Sequence, residues 1–449
     1  MSGHRLSTLG KLQNAPDATY SPKLTISTNS NIKADIFIPL KGEKFDGHDF
    51  IADAIANGST LALCAEDYFI FNTKELQNLP LLIVSDTLTA YQTLAMWHRR
   101  LFKLPIIAIT GSSGKTTLKE MIALLFEGSL KTYANENNDI GVAKTLLNIN
   151  KTHTAGIIEM GMRGSGEIKR LVEIIEPDIA VITNVSYAHI GQFPDFDTLI
   201  NAKKEAFDYS KGLCVMIANG HTEELTKNID PKRLIICRRD DDTAQYSLNN
   251  LHIDSSGAKF TMKLEGHIVN MELPYAFNHG IVEDAALACI TRYLSDKDIT
   301  GLSKIKYFSP LDNRGRVYQS KNGGTIISDA YNANPSSMRY AIDTLSVQNV
   351  ETKVACLGDM LELGADSERY HYEIGKYLAQ KGVNILITRG NYTDSYKQGA
   401  IDGGMPGNKI VLANDLDDVQ TLVNYYNSPG HAILIKGSHS TMFYTLKAE

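Results

Sequence analysis

Lys115 and Thr116, set just behind a pair of glycines, are the residues from which chemistry has to be reasoned in this chain. They belong to the run Thr110-Gly111-Ser112-Ser113-Gly114-Lys115-Thr116-Thr117. Glycines let a backbone turn aim its N–H groups inward, and a helix starting on the far side adds partial positive charge. A lysine placed there reaches the outer phosphates of a nucleoside triphosphate. The hydroxyl of Thr116 is placed to take the Mg²⁺ that accompanies them. The spacing is short, because Ile109 stands where the general pattern has its first glycine. The run alone therefore supports a bound triphosphate and leaves the reaction to its surroundings.

Three further polar sets follow apolar runs. Glu159 ends Ile157-Ile158-Glu159, where an unpaired carboxylate is costly to bury; a metal ion or a buried salt bridge would resolve it. His189 closes Thr183-Asn184-Val185-Ser186-Tyr187-Ala188-His189, and a histidine beside a phosphate loop and a carboxylate suits a hard cation or a phosphate. Asn135-Glu136-Asn137-Asn138-Asp139-Ile140-Gly141 offers amides to phosphate or ribose oxygens, or is a solvated turn. Lys203 and Lys204 sit in a helical pattern that, alone, reads as a solvated face.

Placing these sets requires a sheet whose strand ends converge. Apolar runs near 106–109, 155–159, 179–183, 213–217 and 234–237 alternate with helical patterns at 115–126, 168–175 and 196–207. That is a doubly wound sheet with its ligand crevice at the strand ends. Residues 246–273 alternate polar and apolar, predicting an antiparallel extension before a helix over 282–294. The first hundred residues read as a smaller α/β unit, with strands near 34–40, 61–64 and 81–84 and helices near 51–57 and 87–101. Past a hinge at 309–316, strands at 324–328, 353–357, 384–388 and 432–435 alternate with helices at 337–346, 367–380 and 416–426. The expected fold is α/β in three domains: 1–103, 104–308 and 309–449.

Bulk properties narrow the classes. A chain of 449 residues suits two or three cores. The formal charge of −6 argues against a general nucleic-acid binder. No apolar run has the length of a membrane span, and the polar start has no leader core, so a cytoplasmic protein with no membrane partner is expected. Five cysteines without a Cys-x-x-Cys pair predict buried reduced thiols.

Several strings, in order, resemble motifs of the Mur ligases: TGSSGKTTLKEM, NENNDIGVAKTLL, IIEMGMRGSGEI, EPDIAVITNVSYAHI and AKKEAF. KGEKFDGHDF, SDAYNANPSSM, LGDMLELG and ILIKGSHS are similar to the MurF branch. The resemblance implies an N-terminal domain for a UDP-sugar, a central P-loop ATPase domain, and a Rossmann-like C-terminal domain for the acceptor. It implies transfer of the γ-phosphate of ATP to the carboxylate of UDP-N-acetylmuramoyl-tripeptide. The resulting acyl phosphate is attacked by the amine of D-alanyl-D-alanine, in peptidoglycan precursor synthesis. Lys115, His189, Lys203 and Arg316 would then be catalytic. Thr110 to Thr117, Asn138, Asp329 and Asn332 would bind ATP. Two Mg²⁺ ions are expected, one on Thr116 and Glu159, the other on His189 and a carbamate of Lys203. Lys203 is chosen over Lys204 because Ala202-Lys203-Lys204-Glu205 matches the family's A-K-x-E pattern. Asn334 shares the Asp329 loop, Lys436 falls on the acceptor side, and a monomer is the family habit. Two places depart from the family. Ser27-Thr28-Asn29-Ser30-Asn31 lacks the acid and arginine that meet the uridine nucleotide, and Asn278-His279-Gly280-Ile281-Val282-Glu283-Asp284 blurs the adenine-side motif. A Mur-fold ligase acting on another carboxylate is the alternative reading.

Overall fold

Ile106–Thr110, the strand that feeds the phosphate loop, is buried at all five positions because helices cover both faces of its sheet. In the computed structural model, residues 4–42, 44–188, 190–275 and 277–448 are described. The nine strands of this sheet run, edge to edge, His267–Leu273, Gly257–Leu264, Tyr246–Asp254, Leu234–Arg239, Leu213–Ile217, Ile179–Ile182, Ile106–Thr110, Gly156–Glu159 and Leu130–Lys131. Pairing is parallel from Leu130–Lys131 through Tyr246–Asp254 and antiparallel beyond.

Side chains alternate across this sheet with period two, so each strand serves two cores. Ala108, Ile158 and Ile182 point to the side packed by Asp139–Leu147, Glu167–Ile175 and Phe196–Asp208. Ile107, Ile109 and Val181 point to the side packed by Lys115–Leu125 and His279–Asp296. The first of these cores continues through Thr87–Arg100 into a five-stranded sheet near the N-terminus, with Tyr91, Leu94 and Trp97 as the bridge. His98 fastens the same junction. Its Nε2 donates to the Ile149 carbonyl at 2.7 Å, so its Nδ1 accepts from the Tyr20 hydroxyl at 2.8 Å. Burial pushes the His98 pKa down, which keeps this neutral tautomer.

The third sheet has six strands in the order Arg316–Gln319, Thr325–Ser328, His431–Lys436, Thr352–Gly358, Ile385–Arg389 and Ile410–Leu412. Only its first pair is antiparallel. All five cysteines are buried and free. Among the described residues no helix is long and apolar enough to cross a membrane.

Three local expectations change. The strand expected over 34–40 shrinks to Ile36–Phe37. A helix, Asp139–Leu147, begins inside the asparagine-rich run, with the Asn138 side chain accepting from Gly141 N as its N-cap. An unanticipated helix, Thr393–Asp402, packs on Ser367–Gln380. Its glycine reads as a breaker, yet it is a packing site. A Cβ on Gly399 would fall 2.0 Å from the Tyr372 carbonyl oxygen, and one on Gly375 2.2 Å from that of Tyr396. Two helix backbones touch there, and only glycine fits.

Candidate active site

The phosphate loop is shaped by its two glycines and gripped by the next strand end. Gly111 has φ 145° and Gly114 φ 82°, conformations that side chains resist. Space enforces the same choice. A Cβ at Gly111 would fall 1.9 Å from Thr183 Oγ1, and one at Gly114 2.6 Å from the Asp284 carboxylate. Asn184 accepts from Ser113 N at 3.1 Å through its side chain and donates to the Ser113 carbonyl at 3.1 Å. Thr183 Oγ1 donates to that carbonyl at 2.6 Å, and Ser186 N donates to Ser112 Oγ at 2.9 Å. Lys115 Nζ folds over the loop and donates to the Gly111 carbonyl at 2.7 Å. Burial drives the Lys115 pKa down and Glu159 pulls it back up, with Arg314 pushing it down again.

Glu159 is 2 % exposed and fully used. Its Oε2 accepts from Thr116 Oγ1 at 3.0 Å and its Oε1 from Asn137 Nδ2 at 2.9 Å, while Lys119 Nζ lies 3.3 Å away. Burial by itself would raise the carboxyl pKa. Lys119 and Lys115, with the two hydrogen bonds, outweigh it and hold Glu159 below its ordinary value. Of the two expected resolutions of this buried carboxylate, the structure displays the ion pair, with Lys119, and adds hydrogen bonds from Thr116 and Asn137. Lys119, 1 % exposed, and Asn137 were not anticipated as partners of Glu159. Lys119 lies four residues past Lys115 on one helix face, a legible signal; Asn137 lies in the amide-rich run expected at phosphate or ribose, and its pairing with Glu159 is what the sequence did not indicate. Asn138, expected at the nucleotide, has its side chain spent on the helix cap.

The two lysines of Phe196–Asp208 separate cleanly. Lys204 pairs with Asp208, whereas Lys203 is 1 % exposed and has no hydrogen bond or ion pair among the described residues. Burial and the nearby charge of Lys115 drive the Lys203 pKa well below that of an ordinary lysine. The expected solvated face is therefore corrected: the apolar surroundings of this helix bury both lysines. Glu205 turns away to accept from Gly166 N and Lys169 N, capping the neighbouring helix. His189 lies outside the described residues.

From the third sheet, the loop after Thr325–Ser328 comes down on the phosphate loop. Asn334 Nδ2 donates to Ser113 Oγ at 3.0 Å. Lys436, 1 % exposed, braces this loop through Asp329 Oδ2 at 2.7 Å and the Asn332 carbonyl at 2.9 Å. The Asn332 side chain instead accepts from Ala333 N, so Asn334 is the residue that reaches across. Arg316, expected to be catalytic, stands apart from these contacts. It is exposed, paired with Asp312, and lies over Tyr318, because its strand turns it outward. Arg314, 3.6 Å above the centre of the Tyr331 ring, is the arginine whose charge acts on Lys115 and Asp329.

Two family models match: the Mur ligase middle domain over residues 109–289, and the Mur ligase, glutamate ligase domain over 313–439. UDP-N-acetylmuramoyl-tripeptide–D-alanyl-D-alanine ligase of Escherichia coli is 30% identical over 445 residues, spanning 96% of this chain and 93% of its own. The chain belongs to the Mur ligase family. The Bacillus subtilis protein of the same name is 31% identical, over 90% of this Mur ligase and 87% of its own length. Among solved structures, MurF from Acinetobacter baumannii superposes with a TM-score of 0.84 at 27% identity, covering 99% of this chain and 98% of that one. MurF ligase from Thermotoga maritima, solved with ADP, shares the fold at a TM-score of 0.80, 24% identity and coverage of 95% and 96%.

Both departures from the family are structured in this Mur ligase. Ser27 Oγ and Asn29 close turns within 27–31, with Asn31 N donating to Asn29 Oδ1 at 3.0 Å, and Asn57 Nδ2 donates to the Ser30 carbonyl at 3.1 Å, so side chains of this chain hold the run. Asn278 caps His279–Asp296 and donates to Thr344 Oγ1 at 2.8 Å, tying the central sheet to the third. Burial pushes the Asp284 carboxyl well up, beside Gly114.

Proposed function

We propose that this Mur ligase joins D-alanyl-D-alanine to UDP-N-acetylmuramoyl-tripeptide with ATP, by way of an acyl phosphate, for cytoplasmic peptidoglycan precursor synthesis. The observation that carries the reading is the convergence of three separate stretches on one phosphate loop. Thr116 meets Glu159, Thr183–Ser186 grip Ser112 and Ser113, and Asn334 crosses from the third sheet. Similarity at 30–31% identity over most of the length to ligases of that name supports the substrates. In this reading residues 1–103 receive the UDP-sugar, 104–308 the ATP and 309–449 the acceptor.

A carboxylate attacking a triphosphate brings anions together, and the chain's cations offset that repulsion. Lys115 leaves the Gly111 carbonyl for the outer phosphates, while the amides of Gly111 to Thr117 take the oxygens. Arg314 approaches from the third sheet, and Asp329 and Asn334 keep its loop seated. Closure of that loop excludes water, which would otherwise hydrolyse the acyl phosphate. The donors near Thr116 fit Mg²⁺, since a hydroxyl and a carboxylate oxygen leave positions for phosphate oxygens and water. Bound there, Mg²⁺ would neutralise phosphate charge. A second ion fits only if Lys203 changes its chemistry. An amine with a lowered pKa and no partner among the described residues can add to carbon dioxide and lose a proton, and the resulting carbamate would supply oxygens for the ion.

Phosphate release with ATP, UDP-N-acetylmuramoyl-tripeptide and D-alanyl-D-alanine, against mixtures lacking the dipeptide, tests the reaction. Dipeptide-dependent release is expected, and its absence with all three substrates would overturn the reading. The arginines give a second test. Arg314→Ala lowers turnover on the order of a thousandfold, whereas Arg316→Ala stays within about twofold, as expected for an exposed pair. Equal losses in the two variants would refute the assignment of Arg314.

A further inference from the structure

The two loops that hold Ser113 also wall a cleft of about 280 Å³ that the mechanism above leaves unused. On one side lie Ser186 and Tyr187, directly after the residues that bond to Ser113. On the other lies Ser336, two residues past Asn334, which donates to Ser113 Oγ. One end of the cleft therefore opens beside the phosphate loop. The Ser186 hydroxyl at that end is buried with no hydrogen-bond partner among the described residues.

The walls and the far end have a definite chemistry. Tyr187 stacks on Phe196 with centroids 4.3 Å apart, and Tyr370 lies 5.1 Å from Tyr187, giving small apolar groups a surface. Arg339, one helical turn beyond Ser336, brings a cation to the cleft. Its guanidinium lies over the Tyr377 ring at 4.7 Å, and its Nη2 stands 3.5 Å from Glu373 Oε2. That contact is long, and both side chains are about two-fifths exposed, so the pair is loose enough for another carboxylate to displace Glu373. A cleft of this size suits a small molecule rather than a folded partner. A dipeptide, about 7 Å long, carries a carboxylate and an amine at its two ends, the groups that the Arg339 cation and the unpartnered Ser186 hydroxyl of this cleft would take.

We propose that Arg339 anchors the carboxylate of the incoming dipeptide in this cleft, methyls against Tyr187 and Tyr370, with the amine directed to the Ser113–Ser186 end. Glu373 holds the guanidinium until the substrate arrives. The inference rests on the ligase reading above and adds the acceptor's address to it. Arginine suits the task because its planar fork accepts a carboxylate through two parallel hydrogen bonds.

Steady-state kinetics of the full chain with D-alanyl-D-alanine and with its C-terminal amide test this. Wild type prefers the free acid by at least about tenfold in kcat/KM, the worth of one charge-assisted contact. Arg339→Met raises the KM for the acid by a similar factor, loses the preference for acid over amide, and leaves the KM for ATP unchanged. Glu373→Gln lowers the KM for the acid. Retention of the wild-type preference by Arg339→Met, or an equal rise in KM in Glu373→Gln, overturns the anchor while leaving the ligase reading intact. Wild type that releases no dipeptide-dependent phosphate overturns both. Thermal melts separate these outcomes from misfolding, because Arg339 is partly exposed and its loss should leave Tm unchanged within about a degree.

Discussion

Replacing Lys203 with methionine is expected to raise the melting temperature of this protein while removing its ligase activity. The two effects come from one fact: the side chain is 1 % exposed, and no described residue supplies it with a hydrogen bond or an opposite charge. Methionine keeps the length and drops the amine, so the unfavourable burial disappears. The gain is about 1–3 kcal/mol, or a few degrees in Tm. Burial lowers the Lys203 pKa from its ordinary 10.5, with Lys115 adding to the shift. Between the lowered folded value and 10.5 the unfolded chain binds the extra proton, so wild-type stability rises with pH across that window. The advantage of Lys203→Met therefore shrinks as pH climbs toward 10.5. Calorimetry at pH 7 and pH 9 in bicarbonate-free buffer checks it. Turnover should fall on the order of a hundredfold, and a short carboxylic acid should restore activity to Lys203→Ala if a carbamate is the working form. Wild-type turnover in unsupplemented Lys203→Ala would end that proposal.

Glu159→Gln is expected to cost both stability and turnover, by separable routes. Glu159 and Lys119 are each nearly without solvent contact and lie 3.3 Å apart. Removing the Glu159 charge leaves Lys119 buried with the Ala134 carbonyl at 3.1 Å and a loose contact to Glu120 Oε1 at 3.9 Å, a loss of about 3–5 kcal/mol. The double variant Glu159→Gln/Lys119→Met removes the orphaned charge and should recover most of the stability. It should recover none of the turnover, because the carboxylate that faces Thr116 is still missing. Denaturant melts and phosphate release on the four proteins of this cycle measure the two routes separately. Recovery of activity in the double variant would show Glu159 to be a structural charge alone. Acid titration adds a signed check. The folded Glu159 pKa is held below 4.5, so its contribution is complete above 4.5 and is lost as pH falls through the lowered value. Glu159→Gln should flatten the acid limb of the stability curve.

Much of the architecture was legible because buried parallel strands and amphipathic helices leave periodic signals. The runs at 106–109, 179–183 and 213–217 became central strands within a residue or so of their expected ends. The helix Thr87–Arg100 followed for the same reason. Periodicity failed where contacts between elements set the structure. Gly399 looks like a breaker, yet it sits inside the unanticipated helix Thr393–Asp402 because another backbone passes within touching distance. Two-residue strands such as Ile26–Ser27 are too short for any pattern to register.

The site divides along the same line. The local run Thr110 to Thr117 announces its own turn and helix, since glycine φ angles and helix starts are properties of neighbouring residues. That Glu159 must be reconciled with burial also follows from one strand. Which partners reconcile it does not: Lys119 and Asn137 reach Glu159 only because the helix and loop fold back over the strand end. Arg316 opens an edge strand and is exposed, whereas Arg314 lies in the bend before it over the Tyr331 ring, a difference set by tertiary contacts and not by spacing. Lys203 and Lys204 are adjacent and chemically identical, and only the packing around Phe196–Asp208 leaves one paired and the other alone. By itself the sequence determined the phosphate loop, the alternation that builds the sheets, and the resemblance to a family. The tertiary structure decided which charges meet, because ion pairing and desolvation act between residues that the chain order keeps far apart.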